Sequence, residues 1–205
     1  CSLTFQRRDF SKSNLVGSSL FADGVACALV VGERVDTHRL SRLHSLPRIR
    51  ATQSTFLPDS EEVMGWDIEN SGLKVIFSRD IPSLIRKWLS PYVEEFLKKE
   101  DLSLADIAHF ILHPGGRKVL EAYEEALGLT EEHTAASRKI LAEYGNMSSA
   151  TVLYLLKYVL ENQLTASQMN GKTGVEKETK EWGLVAALGP GFSSELLLLE
   201  WIGEG

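Results

Sequence analysis

The sequence predicts an α/β layered fold, a mixed sheet covered by helices. Three observations carry this expectation. Short apolar runs of strand length recur at residues 25–31, 107–112, 183–188 and 193–201. Between them the period changes: Leu84, Ile85, Trp88, Leu89, Tyr92, Val93, Phe96 and Leu97 line one face of a helix of about five turns. Strand-like runs lie toward both ends and helical patterns in the middle, so the helices must cover the sheet.

Each element has a local reason. Asn14 to Phe21 has helical spacing over a short stretch. Asp23-Gly24 is a turn signal, and Val25 to Val31 then runs apolar for seven residues, as suits a strand buried on both faces. Residues 33–47 are polar and basic and read as a loop. Arg48 to Phe56 alternates like a strand, closed by Pro58-Asp59-Ser60. Val63 to Ile68 and Leu73 to Phe77 flank Asn70-Ser71-Gly72, a hairpin signature. Asp80 or Ser83 can cap the amphipathic helix, with Pro82 early in its first turn. Ser103 can cap a short helix before the buried strand Ile107–Leu112. Arg117 to Leu127 and Ala135 to Tyr144 are helical, the second ended by Gly145. Ser148 or Ser149 begins a long apolar helix through Leu160. Residues 164–180 read as a solvated loop. Two closing strands, Gly183–Leu188 and Ser193–Trp201, flank Gly189-Pro190-Gly191.

Composition removes several function classes. With 22 Lys+Arg against 28 Asp+Glu, the formal charge of -6 disfavours a nucleic-acid binder, which needs clustered cations. No run of 18 apolar residues occurs, so no membrane span is expected. Two cysteines, Cys1 and Cys27, make no disulfide framework, and a reducing cytoplasm is the expected compartment. Cys1 in place of Met, opening directly onto Leu3 and Phe5, suggests a chain cut inside a longer protein. Cys27, central in an expected buried strand, is expected to be inert packing. Asp59, Glu61 and Glu62 read as a solvated loop, not a metal site.

Three segments could carry chemistry. His113 follows a buried strand and precedes two glycines and a helix, where α/β sheets bind ligands. Gly115 and Gly116 remove side chains beside it, so a ligand or another backbone can come close. His113 either bonds a nearby carbonyl or faces such a ligand. Asn146, in Gly145-Asn146-Met147-Ser148-Ser149, either caps the next helix or donates its amide N–H into a cleft. Beside an imidazole N–H, that second role gives two donors for one oxyanion or enolate. Leu188-Gly189-Pro190-Gly191 is either a tight turn or the side-chain-poor wall of a cleft. His38, His44 and His133 are expected at the surface and His109 within its strand.

Four segments taken together resemble the chalcone synthase family, type III polyketide synthases of the thiolase superfold. They are Leu20-Phe21-Ala22-Asp23-Gly24-Val25-Ala26, His113-Pro114-Gly115-Gly116, Tyr144-Gly145-Asn146-Met147-Ser148-Ser149-Ala150 and Leu188-Gly189-Pro190-Gly191, in the family's order and approximate spacing. The resemblance spans nearly the whole chain, and its texture is similar to bacterial members that make alkylpyrones or alkylresorcinols from long acyl starters. It implies that residues 1–205 form the C-terminal half of a duplicated layered αβαβα fold, with a mixed five-stranded sheet.

The activity implied is that of an acyltransferase, naringenin-chalcone synthase-like, condensing an acyl-CoA starter with malonyl-CoA by decarboxylative Claisen chemistry. The resemblance makes His113 and Asn146 catalytic: they hold the thioester carbonyl, and the histidine keeps a cysteine as thiolate. Phe21 matches the junction of CoA tunnel and cavity. Ser148, Leu188, Gly189, Pro190 and Gly191 match cavity walls, with Gly115 and Gly116 grouped among the substrate-binding positions. The family's nucleophilic Cys belongs to a Gly-Cys-x-Gly-like turn upstream, while Cys1 matches a later, non-catalytic Cys-Ser. A second gatekeeper phenylalanine aligns with Val75, and a cavity glycine near Gly65-Trp66. Acyl-CoA, malonyl-CoA, the protein's own N-terminal half and a second copy in a homodimer are the implied partners. No cofactor or metal is expected beyond the CoA thioester substrates. The chain alone is expected not to condense substrates, since acyl loading needs the thiolate. The alternatives are a β-ketoacyl-ACP synthase III-like enzyme of the same superfold and a non-catalytic binding or assembly module.

Overall fold

The computed structural model describes residues 5–36, 46–70, 72–169 and 180–202, without the side chains of 163–169 and 202. The elements run α1 (Lys12–Leu20), β1 (Arg48–Phe56), β2 (Met64–Glu69), β3 (Gly72–Phe77), α2 (Ile81–Lys98), a 3-10 turn (Leu104–Asp106), β4 (Ile107–Leu112), α3 (Arg117–Leu127), α4 (Glu131–Tyr144), α5 (Ser149–Met169), β5 (Lys180–Gly189) and β6 (Ser193–Ile202). A four-stranded mixed sheet has the order β1-β6-β5-β4, with β4 and β5 parallel and the other pairs antiparallel. β2 and β3 form a separate antiparallel hairpin.

Strand periodicity sorts the core into two layers. Phe110 and Leu112 of β4, Leu184 and Ala186 of β5, and Leu196 and Leu198 of β6 face α2 and α3. Their alternates Ile111, Val185 and Leu199, with Trp201, face α4 and α5. Both faces are covered, so the architecture is α/β/α. The apolar stripe of α2 buries Ile81, Ile85, Trp88, Leu89, Val93, Phe96 and Leu97. That burial outweighs Pro91, which removes one N–H from the helix interior. α4 begins one turn earlier than its apolar pattern, because Thr130 and His133 close a capping box there.

The run Val25–Val31 corrects one expectation. It forms no strand among the described residues, and Val25, Leu29 and Val30 are 84%, 77% and 73% exposed. Cys27 is likewise exposed, not packed. Apolar composition marks a strand only where a ladder partner lies alongside, and no described strand pairs with this run. Among the described residues the main sheet holds four strands, not the expected five. Cys1, His38 and His44 lie outside the described residues. Among the described residues, no helix is long and apolar enough to cross a membrane.

Candidate active site

His113 stands at the carboxyl end of β4. Its backbone N–H extends the ladder to β5 by donating to the Ala186 carbonyl at 2.8 Å. The carbonyl just before it, on Leu112, accepts from the Ser137 hydroxyl of α4 at 2.8 Å. Gly115 N–H closes a tight turn onto the His113 carbonyl at 2.9 Å, and α3 starts two residues later. These bonds fix the His113 backbone at the mouth of a parallel strand pair, the position where α/β sheets hold ligands. Burial pushes its pKa down to about 4, so the ring is neutral at pH 7 and carries one N–H.

Asn146 reaches the same place from the other side. α4 ends at Gly145, whose φ of 71° and ψ of -170° lie in a region open essentially to glycine. The chain then runs parallel to the segment after α1. Asn146 N–H donates to the Leu20 carbonyl, and Ala22 N–H donates to the Asn146 carbonyl, each at 2.9 Å. Within the side chain, Oδ1 accepts from Ser148 N–H at 2.9 Å and Nδ2 donates to the Gly115 carbonyl at 3.3 Å. The first turn of α5 is served by Thr151, whose hydroxyl accepts from Met147 N–H at 2.8 Å. Asn146 therefore turns its Nδ2 donor, not its oxygen, toward the loop after His113.

A cleft of about 640 Å³, open solvent included, lies between these two turns and the β2–β3 hairpin. Of the residues singled out from sequence, Phe21, Gly65, Trp66, Val75, His113, Gly115, Asn146, Ser148, Leu188 and Pro190 line it. Gly116, Gly189 and Gly191 do not. Gly116 backs onto Leu20 of α1, Gly189 faces the Ser193 hydroxyl, and Gly191 lies against the Phe56 ring. These three glycines let other protein groups pack closely behind the wall.

Sequence reasoning from periodicity missed the hairpin as a wall. Met64, Gly65, Trp66, Val75, Ile76 and Phe77 all line the cleft. Trp66 pairs across the hairpin with Val75, and Met64 with Phe77. The Trp66 ring lies 5.8 Å from that of Phe21, tilted 44°. The family resemblance marks Gly65-Trp66 and Val75 here, while the i, i+2 spacing of Met64 with Trp66 and Val75 with Phe77 shows only that each pair shares a face. His109 sits elsewhere, in β4, with Nε2 2.9 Å from a Glu181 carboxylate oxygen and its ring edge-on to Trp201. Exposed His133 closes its capping box beside Phe110. Asp59, Glu61 and Glu62 are exposed in the turn after β1.

A mixed α/β/α sheet with a histidine at a strand end and an asparagine in a glycine-led turn facing one cleft has the thiolase-like fold of the type III polyketide synthases. The structure matches the crystal structure of 1,3,6,8-tetrahydroxynaphthalene synthase from Streptomyces coelicolor A3(2), with a TM-score of 0.80 and 27% identity, over 100% of this chain and 52% of that one. Residues 48–203 match the family described as chalcone and stilbene synthases, C-terminal domain, and the chain belongs to that family. It is 52% identical over 201 residues to a Bacillus subtilis (strain 168) protein named "Putative chalcone synthase", covering 98% of this chain and 52% of that protein. It is 39% identical over 201 residues to 1,3,6,8-tetrahydroxynaphthalene synthase of Streptomyces peucetius subsp. caesius, covering 98% and 49%. The chain spans about half the length of the curated relatives it matches.

Proposed function

We propose that this chain supplies the oxyanion-binding half of a type III polyketide synthase site, an acyltransferase of the chalcone synthase type. The convergence of His113 and Asn146 on one cleft carries the reading. A malonyl thioester placed there would set its carbonyl oxygen against the Asn146 Nδ2–H and the imidazole N–H. The bond to the terminal carboxylate breaks, CO2 leaves, and its electron pair moves into an enolate whose charge rests on that oxygen. Two aimed donors stabilise that charge more than the ground-state carbonyl, so the barrier falls. The enolate carbon then attacks the acyl thioester of the starter, expelling the thiolate that carried it.

The neutral state of His113 supports the donor role, because a single N–H suffices and no proton has to be taken up first. Apolar lining by Phe21, Met64, Trp66, Val75 and Phe77 supports an alkyl or aromatic acyl chain as starter. Cys27 is not in the cleft lining, Cys1 lies outside the described residues, and the family resemblance assigns the acyl-carrying thiolate to a cysteine in the other part of a family-length protein. That part and a second copy of the chain are the protein partners in this reading, with CoA thioesters as substrates and the cytoplasm as the compartment.

The test is malonyl-CoA decarboxylation and product formation by the intact protein supplied with acyl-CoA. His113→Ala and Asn146→Ala are each expected to lower decarboxylation by roughly 10²–10³. The purified 205-residue chain is expected to yield no condensation product; turnover by that chain alone would refute the assignment of the thiolate elsewhere.

A further inference from the structure

Ser60 is a buried polar residue that the reaction scheme above does not use. It is 4% exposed and ends the turn after β1. Asp59 before it has φ of 53°, a left-handed conformation uncommon for a residue with a side chain. That turn aims the Ser60 side chain inward. Its hydroxyl faces the carbonyls of Leu57 and Gly191, each at 2.5 Å, and accepts from the Phe192 N–H at 2.7 Å. Backbone bonds flank this node: Leu57 N–H donates to the Phe192 carbonyl at 2.9 Å, and Gly191 N–H to the Met64 carbonyl at 3.1 Å.

The node joins two walls of the cleft. Leu188 and Pro190 come from the β5–β6 turn, while Met64 and Trp66 come from β2, which starts four residues after Ser60. Phe192, at the end of the turn, is fully buried and packs on Trp88 of α2, so the turn is anchored to the core behind it. The hairpin belongs to a sheet of its own, and among the described residues no ladder joins it to the β1–β6–β5–β4 sheet. The polar ties between the hairpin root and the turn are the Ser60 hydroxyl and the two flanking backbone bonds, beside the packing of Met64, Phe77 and Leu188 on the core.

We propose that Ser60 is a positioning residue that fixes the β5–β6 turn to the root of the hairpin and thereby sets the width of the cleft for the growing acyl chain. The statement about the acyl chain rests on the synthase reading; the statement about the turn does not. A hydroxyl is the smallest group that can accept from one N–H and donate to a carbonyl in the same buried space. Alanine keeps the volume and deletes both functions, while threonine keeps the hydroxyl.

The experiment compares wild type, Ser60→Ala and Ser60→Thr in the intact protein. Amide hydrogen exchange at Phe192 and Gly191 reads the turn. Ser60→Ala is expected to speed both at least tenfold, leaving the amides of β4 and β5 unchanged, with Ser60→Thr restoring protection. Product distribution from malonyl-CoA with acyl-CoA starters of graded length reads the cleft. Ser60→Ala is expected to change the ratio of longer to shorter products several-fold and to raise KM more than it lowers kcat. Glu124→Gln weakens the ion pair that Glu124 of α3 makes with Arg138 of α4 at 2.8 Å, far from the turn, and as a destabilising control it is expected to keep the wild-type ratio. Unchanged exchange at Phe192 overturns the proposal, and so does faster exchange with an unchanged product ratio, because Ser60 is then only a structural staple. If wild type forms no product from CoA thioesters, the synthase reading fails separately, and exchange at Phe192 alone decides whether Ser60 holds the turn.

Discussion

Phe21 and Asn146 are held side by side by their backbones. Asn146 N–H bonds the carbonyl before Phe21 and Ala22 N–H bonds the Asn146 carbonyl, each at 2.9 Å, in a single parallel bridge. An aromatic wall residue and a candidate catalytic amide, 125 positions apart in sequence, are therefore tied through their backbones. The bridge brings the turn after α4 within side-chain distance of the segment after α1, and it explains the glycine at 145.

Replacing that glycine tests the bridge. A Cβ on Gly145 would lie 3.0 Å from the Ala22 Cβ and 3.1 Å from the Leu20 carbonyl, on a backbone with φ of 71°. Gly145→Ala is expected to destabilise the chain by about 1–3 kcal/mol. It should also weaken protection of the Ala22 and Asn146 amides before those of β5. Urea unfolding with site-resolved hydrogen exchange checks both; a loss spread evenly over the sheet would mean that the bridge is not the strained element.

The pH dependence of stability should carry the signature of His113. Its pKa in the folded chain is depressed to about 4 by burial, against an ordinary value of 6.5. Between those two values the unfolded chain binds the extra proton and the folded chain does not. Stability therefore falls as pH drops from 6.5 toward 4, with a slope of at most about 1.4 kcal/mol per pH unit from this one group, and is flat on either side. His113→Gln is expected to flatten that window relative to wild type. An NMR titration of the ring checks the pKa directly, and a midpoint near 6.5 would contradict the burial argument.

The strands and helices were legible in sequence where local pattern and tertiary packing agree. β4, α3 and the β2–β3 hairpin follow their apolar periods, and Asp80 marks the start of α2. The run Val25–Val31 misled because seven apolar residues imply burial, but burial needs a neighbour that local sequence does not contain. The two candidate catalytic side chains could be found because their motifs are compact. The hairpin wall could not be read from periodicity alone: an i, i+2 face turned toward a cleft has the same pattern as one turned toward a core. The role of Ser60 was hidden for a different reason, since its partners Gly191 and Phe192 are 131 and 132 positions away.

Trp66 gives the hairpin wall a direct test. Its ring lies over Phe21, yet the residue is 37% exposed, so truncation removes bulk from the cleft without opening the core. Trp66→Ala is expected to leave the melting temperature within a few degrees of wild type, as partly exposed positions away from the core usually do. In the intact protein it should shift the ratio of kcat/KM for long against short acyl-CoA several-fold toward the long chain. An unchanged ratio would place the acyl chain elsewhere than between Phe21 and Trp66.

The two ends of the Asn146 amide have different jobs, and this separates its structural from its chemical role. Oδ1 accepts from Ser148 N–H, which holds the turn; Nδ2 points to the Gly115 carbonyl beside His113, which is where a substrate oxygen would be met. Asn146→Asp keeps the acceptor and exchanges the donor for a second carboxylate oxygen. A carboxylate facing a developing enolate repels the charge that the amide N–H would stabilise. The aspartate variant keeps the bond from Ser148 N–H but sets a buried carboxylate oxygen against the Gly115 carbonyl, so it is expected to lower the melting temperature and to lose malonyl-CoA decarboxylation by at least about the 10²–10³ assigned to one oxyanion donor. Thermal melting and decarboxylation rates of the variant in the intact protein decide the matter: if Asn146→Asp retains the wild-type rate, Asn146 only shapes the turn and the oxyanion donor lies elsewhere.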